Sequence, residues 1–303
     1  MLSKLTALAR LSRPFFLMGG LVMYALGAVV ARYEGLPIEW GAYLLGQLVI
    51  TGLQVMTNCL NEYWDEETDK LNRARTAFSG GSGVLPEGRL TRAAALGAAW
   101  AGLALACAAG VALATQGRLS PAAWMILLLG FLGSFFYSNL PLRLMSTGYG
   151  EITASILMAG LVPAFAHVLQ TGQPSWLILV ATAPLVVMGY AMILTFEMPD
   201  FLSDEASGKR TVTVRIGNRN AARLHNALII LALLLAALGR YAGLPNRVAL
   251  AFIFTAPLAL WQVITVRRLQ QGDPMAFDRL TFGAVALFGF TAYFVAFNFW
   301  VIG

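Results

Sequence analysis

Two short segments of this chain carry carboxylates at a spacing that could do chemistry. Asn58, Asn61, Asp65 and Asp69 follow one another at offsets of 3, 4 and 4, and Glu197, Asp200, Asp204 and Gly208 repeat those offsets further on. At 100° per residue, either set falls within about 80° of one helix surface. Glu62, Asp65, Glu66, Glu67, Asp69, Glu87, Glu197, Asp200, Asp204 and Glu205, from a total of 15 Asp and Glu, crowd around these two stripes. Close carboxylate pairs repel by about 4 kcal/mol at an effective dielectric near 20, so facing pairs of aspartates need a counter-charge. A hard cation provides one. Mg²⁺ prefers oxygen ligands, keeps several waters, and takes one or two carboxylates together with the phosphate oxygens of a substrate. Neither stripe contains His or Cys, which argues against zinc or copper. Lys70, Arg73 and Arg75 follow the first stripe and Lys209 and Arg210 the second, as a polyanion held between them would require. Ordinary solvated helix ends are the alternative, and they explain one such stripe more easily than two in equivalent positions.

The elements that must position these stripes are membrane helices. Of 303 residues 58% are hydrophobic and only 12% charged, too few charges to clothe a water-soluble globule of this length. Apolar stretches lie near 14–31, 40–60, 93–114, 121–138, 151–170, 175–196, 221–239, 248–266 and 281–302. The expected fold is therefore all-α, a polytopic bundle of about nine transmembrane helices forming one membrane-embedded domain over 1–303. An odd number of crossings puts the termini on opposite sides. Of 21 Lys and Arg, only Arg32, Arg118, Arg240 and Arg247 fall on the side away from the N-terminus. Basic loops stay cytoplasmic, so the N-terminus and both acidic stripes are expected at the cytoplasmic face of the membrane. Lys4, Arg10 and Arg13 ahead of the first apolar run look like a signal peptide, but the run's length and the spans that follow favour an uncleaved helix.

The net charge of +6 is explained by this topology and calls for no nucleic acid. Cys59 and Cys107 lie inside apolar stretches and show neither metal spacing nor a disulfide framework. His167 and His225 fall near opposite membrane faces, which makes both structural residues rather than a dyad.

At these residues the sequence resembles the UbiA superfamily of intramembrane prenyltransferases. Asn61-x-x-x-Asp65-x-x-x-Asp69 is similar to its first motif, and Asp200-x-x-x-Asp204-x-x-x-Gly208-Lys209-Arg210-Thr211 to its second. The Arg13-Pro14 entry to the first span and the segment from Gly80 to Leu90 extend the resemblance over nearly the whole chain. Asn61-Glu62-Tyr63-Trp64-Asp65 and the run from Tyr137 to Glu151 look most like enzymes that prenylate 1,4-dihydroxy-2-naphthoate for menaquinone. Glu62, Glu197 and Met198-Pro199 depart from that pattern, which leaves the 4-hydroxybenzoate, homogentisate, chlorophyll and haem branches open.

The resemblance implies transfer of a polyprenyl group from its diphosphate to an aromatic acceptor in the inner membrane of a bacterial or archaeal cell, with Asn61, Asp65, Asp69, Asp200 and Asp204 holding Mg²⁺. Arg75, Arg143, Lys209 and Arg210 are then the candidates to grip the diphosphate, and Arg13, Asn58, Tyr137 and Glu151 those placed toward the acceptor. Tyr137, Phe196 and Phe201 could shield an allylic cation, and Asp65, Asp69 or Glu151 could take the acceptor's proton. Two rival classes share some features. Membrane CDP-alcohol phosphotransferases also use repeated aspartates, but in a single Asp-rich run not found here. A cation transporter or channel would need polar residues across the whole membrane, and the far side offers only Glu34 and Glu39.

Overall fold

The computed structural model describes residues 2–270 and 276–303. Every regular element among them is helical. A short amphipathic helix, α1 (Leu2–Leu11), precedes the spans. These are α2 (Pro14–Tyr33), α3 (Trp40–Leu71), α4 (Arg92–Thr115), α5 (Pro121–Ser138), α6 (Gly150–Thr171) and α7 (Trp176–Ala206). After a five-residue helix, α8 (Val212–Ile216), come α9 (Asn218–Ala242), α10 (Asn246–Leu269) and α11 (Phe277–Ile302). The described residues thus hold nine helices long and apolar enough to cross a membrane, as the hydropathy of the sequence requires, and the chain is an integral membrane protein.

Local sequence explains where the helices start and stop. Pro14 and Pro121 stand at the first turns of α2 and α5, where a missing N–H costs nothing. The side chains of Thr91, Ser120 and Ser175 accept hydrogen bonds from the first-turn amides of α4, α5 and α7. Gly172, in the left-handed region at φ 82°, ends α6. One buried cluster, including Leu53, Met56, Ala99, Ala106 and Phe165, joins α2, α3, α4 and α6. A second, including Leu185, Met188, Ala232, Phe252 and Phe299, joins α7, α9, α10 and α11. Backbones approach closely where small residues meet: a Cβ on Gly52 of α3 would lie 2.5 Å from the Gly102 carbonyl oxygen of α4.

Two helices outrun their apolar stretches. The sequence places spans near 40–60 and 175–196, but α3 continues for 32 residues and α7 for 31. At 1.5 Å per residue each is about 48 Å long against a hydrocarbon core of about 30 Å. Each helix therefore carries its acidic stripe beyond the apolar layer without a break. Pro199 lies inside α7 and does not end it. The stripe on α7 is one position shorter than expected. Gly208 lies past the last helical residue at φ 77°, so it terminates the stripe rather than joining it.

Candidate active site

The acidic ends of α3 and α7 face each other across the mouth of a cavity of about 290 Å³. Asn58, Asn61, Asp65 and Asp69 line it from α3, and Glu197, Asp200 and Asp204 from α7, so the helical spacing puts both stripes on the cavity side. Lys209 joins them. Its Nζ lies 2.9 Å from Asp65 Oδ1 and 3.3 Å from Asp204 Oδ1, with about a tenth of each side chain exposed. Burial works to lower the pKa of this ammonium, but Asp65 and Asp204 outweigh it and raise the pKa above the ordinary lysine value. Lys209 is therefore a fixed positive charge at the centre of the site.

The other carboxylates are held from the segment between α3 and α4. Asp200 Oδ1 accepts from Asn72 Nδ2 at 2.6 Å and its Oδ2 from the Gly80 amide at 3.0 Å. Asn61 Nδ2 donates to Asp65 Oδ2 at 3.1 Å. Asp69 sits against Gly81, where a Cβ would fall 1.8 Å from Asp69 Oδ2, so only glycine fits this position, at φ 70°. That Asp69 Oδ2 is buried and has no hydrogen-bond partner. Among the described residues no three His, Cys, Asp or Glu side chains close on one point as a ready-made metal cage. This donor set suits a cation that takes one or two carboxylates and fills its shell from water and substrate.

Away from the polar mouth the lining becomes mainly apolar, with Gln54, Thr57 and Ser134 among its few polar residues. Phe16, Phe78 and Phe196 form an aromatic wall, with Phe78 and Phe196 stacked at 6.3 Å between ring centroids and Phe16 at 5.8 Å from Phe196. Ile50, Leu53, Ile126, Leu127, Leu161 and Phe165 line the deeper part.

The structure separates the basic residues that the sequence grouped together. Lys209 and Arg13 line the cavity; Arg75, Arg143 and Arg210 do not. Arg75 reaches Glu87 and the Asp69 carbonyl, and Arg143 stacks over the Trp64 ring at 5.6 Å. Arg210 is exposed, while its backbone amide bonds to the Ser146 carbonyl. Tyr137 lines the cavity, as does Asn58, whose amide donates to the Ser12 carbonyl at 2.9 Å. Phe201 does not line it. Glu151 is buried behind the lining and accepts from the Val212 amide, while Glu197 accepts from the Thr213 amide at 3.3 Å. These two glutamates thereby anchor α8, the helix that follows Lys209.

Sequence reasoning overlooked the strap formed by Glu62. Its Oε1 accepts from Arg13 Nη2 at 2.6 Å and from the Ser82 amide at 2.7 Å, and its Oε2 from Ser82 Oγ at 2.6 Å. This buried carboxylate ties the start of α2 and the segment after α3 to one point beside the stripe. Phe78 and Asn72 were also missed. Glu34 pairs with His167 at 2.6 Å near the opposite face, in keeping with a structural role for that histidine.

Residues 20–284 match the sequence model of the UbiA prenyltransferase family. The chain belongs to that family. The chain is accordingly a prenyltransferase. It is 28% identical over 261 residues to 1,4-dihydroxy-2-naphthoate octaprenyltransferase of Escherichia coli, covering 83% of this chain and 81% of that one. It is 24% identical over 218 residues to the Bacillus subtilis enzyme of the same name, covering 71% and 67%. Its fold is similar to that of a UbiA homologue from Archaeoglobus fulgidus bound to GPP and Mg²⁺, with a TM-score of 0.65, 14% identity, and coverage of 95% and 99%.

Proposed function

We propose that this UbiA prenyltransferase moves a polyprenyl group from its diphosphate to an aromatic acceptor in an Mg²⁺-dependent reaction, with 1,4-dihydroxy-2-naphthoate as the acceptor. The observation that carries the reading is Lys209 bridging Asp65 and Asp204 at the polar mouth of a cavity whose remaining wall is mainly apolar. Such a cavity matches an amphipathic substrate with a highly charged head and a long hydrocarbon tail. The naphthoate acceptor is supported by the names of the bacterial relatives, and the metal by the donor set and by the Archaeoglobus neighbour.

Asn61, Asp65, Asp69, Asp200 and Asp204 would hold Mg²⁺, which supplies neutralisation of the charge that builds on the leaving diphosphate. Lys209 adds a fixed positive charge to the same task, and Arg13 a second at the rim. As the allylic C–O bond breaks and its electron pair leaves with the diphosphate, Phe16, Phe78 and Phe196 on the cavity wall would stabilise the developing cation and exclude water from it. The electron-rich acceptor ring then forms the new C–C bond and gives up a proton. Asp65 and Asp69 lie on the cavity wall and are better placed to take it than Glu151 behind the wall. A transporter fits less well, because the charged lining residues gather at one end of the cavity and the rest of its wall is mainly apolar.

The experiment that tests this reading is incubation of purified protein with a polyprenyl diphosphate, Mg²⁺ and each of several aromatic acids, with products identified by mass. A prenylated naphthoate that disappears with EDTA and returns with Mg²⁺ is the expected result. Full activity in EDTA contradicts the metal's role, and product from another acceptor only contradicts the naphthoate assignment.

The proposed orientation has the acidic mouth in the cytoplasm and residues 1–303 acting as one membrane-embedded unit. In a variant lacking Cys59 and Cys107, a cysteine at exposed Arg89 should react with an impermeant thiol reagent only from the cytoplasmic side. One at exposed Gln173 should react only from the other side. The opposite pattern inverts the topology.

A further inference from the structure

The wall of the cavity has a gap at one residue. α5 contributes Ile126, Leu127, Gly130, Ser134 and Tyr137 to the lining. At 100° per residue these span about 100° of helix surface, with Gly130 near the centre of the arc. Trp124, Met125, Leu128, Leu129 and Leu132 are exposed on the rest of the helix. α5 is thus a single-helix partition with lipid on one side and the cavity on the other, and 17% of its apolar window is buried, against 56% for α7.

The three glycines on the lining differ in kind. A Cβ on Gly80 or Gly81 would collide with Asn72 or Asp69, whereas a Cβ on Gly130 meets nothing within 4 Å. One turn toward the polar mouth, α5 closes on α6: a Cβ on Gly133 would lie 2.9 Å from Leu157 Cδ2. Leu157 belongs to a π-helical stretch of α6, Ile156–Leu161, which supplies Leu157, Met158 and Leu161 to the cavity wall. Gly130 is seven residues, about 10 Å, along α5 from Tyr137, and the lining continues another turn to Ile126 and Leu127.

Resting on the prenyl diphosphate reading, we infer that Gly130 sets the length of hydrocarbon tail the enzyme accepts, because its missing side chain keeps the tail's track open past the level where α5 and α6 touch. The head is held at the acidic mouth, so a side chain at Gly130 meets only tails long enough to reach it. Short tails end before it. Gly130 is accordingly a specificity-determining residue that takes no part in the bond changes.

The test compares dimethylallyl and octaprenyl diphosphates as donors for wild type, Gly130→Ala, Gly130→Leu and Gly130→Phe. Added bulk has open space to enter, and alanine is a better helix former than glycine, so the smaller replacements should fold. With Gly130→Phe, kcat/KM for octaprenyl relative to dimethylallyl diphosphate should fall by about tenfold or more, in the range a pocket obstruction produces. Gly130→Leu should fall less and Gly130→Ala least. Gly97→Phe, an exposed glycine on α4 with equally open space, should leave the ratio unchanged. Equal losses with both donors, or an unchanged ratio in both Gly130→Leu and Gly130→Phe, overturn the inference while the function stands. A wild type that makes no prenylated product from either donor removes the function, and this inference with it.

Discussion

Asp65→Asn and Asp204→Asn should each lower turnover by on the order of 10²-fold or more, a few kcal/mol of lost transition-state stabilisation, while the protein remains folded. Asparagine keeps the shape of aspartate and removes the charge. At Asp65 the change takes one carboxylate from Lys209 but leaves it Asp204, and the converse holds at Asp204, so neither variant strands a buried ammonium without a partner. What is lost is negative charge at the point where Mg²⁺ and diphosphate would meet. Glu67 is the internal control, since its side chain is 74% exposed and pairs with Lys70 on the far side of α3. Glu67→Gln should retain near wild-type turnover, because an exposed pair of this kind contributes little. Steady-state kinetics on purified variants, with circular dichroism as the check on folding, decide the matter.

The second large effect concerns two neighbouring residues that sequence alone treats alike. Lys209→Gln should lower kcat/KM by about 10²-fold or more, since it removes a buried, charge-paired donor from the place where the diphosphate would land. The loss should lie substantially in KM for the prenyl diphosphate. Arg210→Gln should stay close to wild type, because the Arg210 side chain is exposed and only its backbone amide, kept in the variant, bonds inward. A large loss at Arg210 with tolerance at Lys209 would show that the site binds its anion from the other direction.

These two residues illustrate what the sequence could and could not disclose. The stripes were legible because a helix turns 100° per residue whatever its surroundings, so offsets of 3 and 4 translate directly into a shared face. The nine spans were legible for a similar reason, since hydrocarbon admits little besides apolar helices. Past the end of α7 the chain leaves the helix at Gly208, and periodicity no longer tells where a side chain points. Lys209 turns in and Arg210 turns out through contacts with Asp204 and Ser146, and Ser146 lies far away in sequence.

The strap around Glu62 was hidden for the same reason. Arg13 is 49 residues away and Ser82 is 20, and nothing periodic links them. The segment between α3 and α4 is rich in glycines at positive φ, including Gly80, Gly81 and Gly83, so its path is set by tertiary contacts. That path brings Phe78 into the aromatic wall and the Gly80 amide onto Asp200. Arg13, expected as an acceptor ligand, spends its guanidinium on Glu62 while still lining the cavity, so its charge reaches the rim with its geometry fixed.

That the two stripes work as one site is tested most directly by a double-mutant cycle of turnover across wild type, Asp65→Asn, Asp204→Asn and the double variant, measured at saturating Mg²⁺ with one prenyl diphosphate. Groups that act as a unit are strongly non-additive, so the double variant should lose far less than the product of the two single losses. Losses that multiply in full would mean that α3 and α7 contribute independently, contrary to a shared centre joined by Lys209.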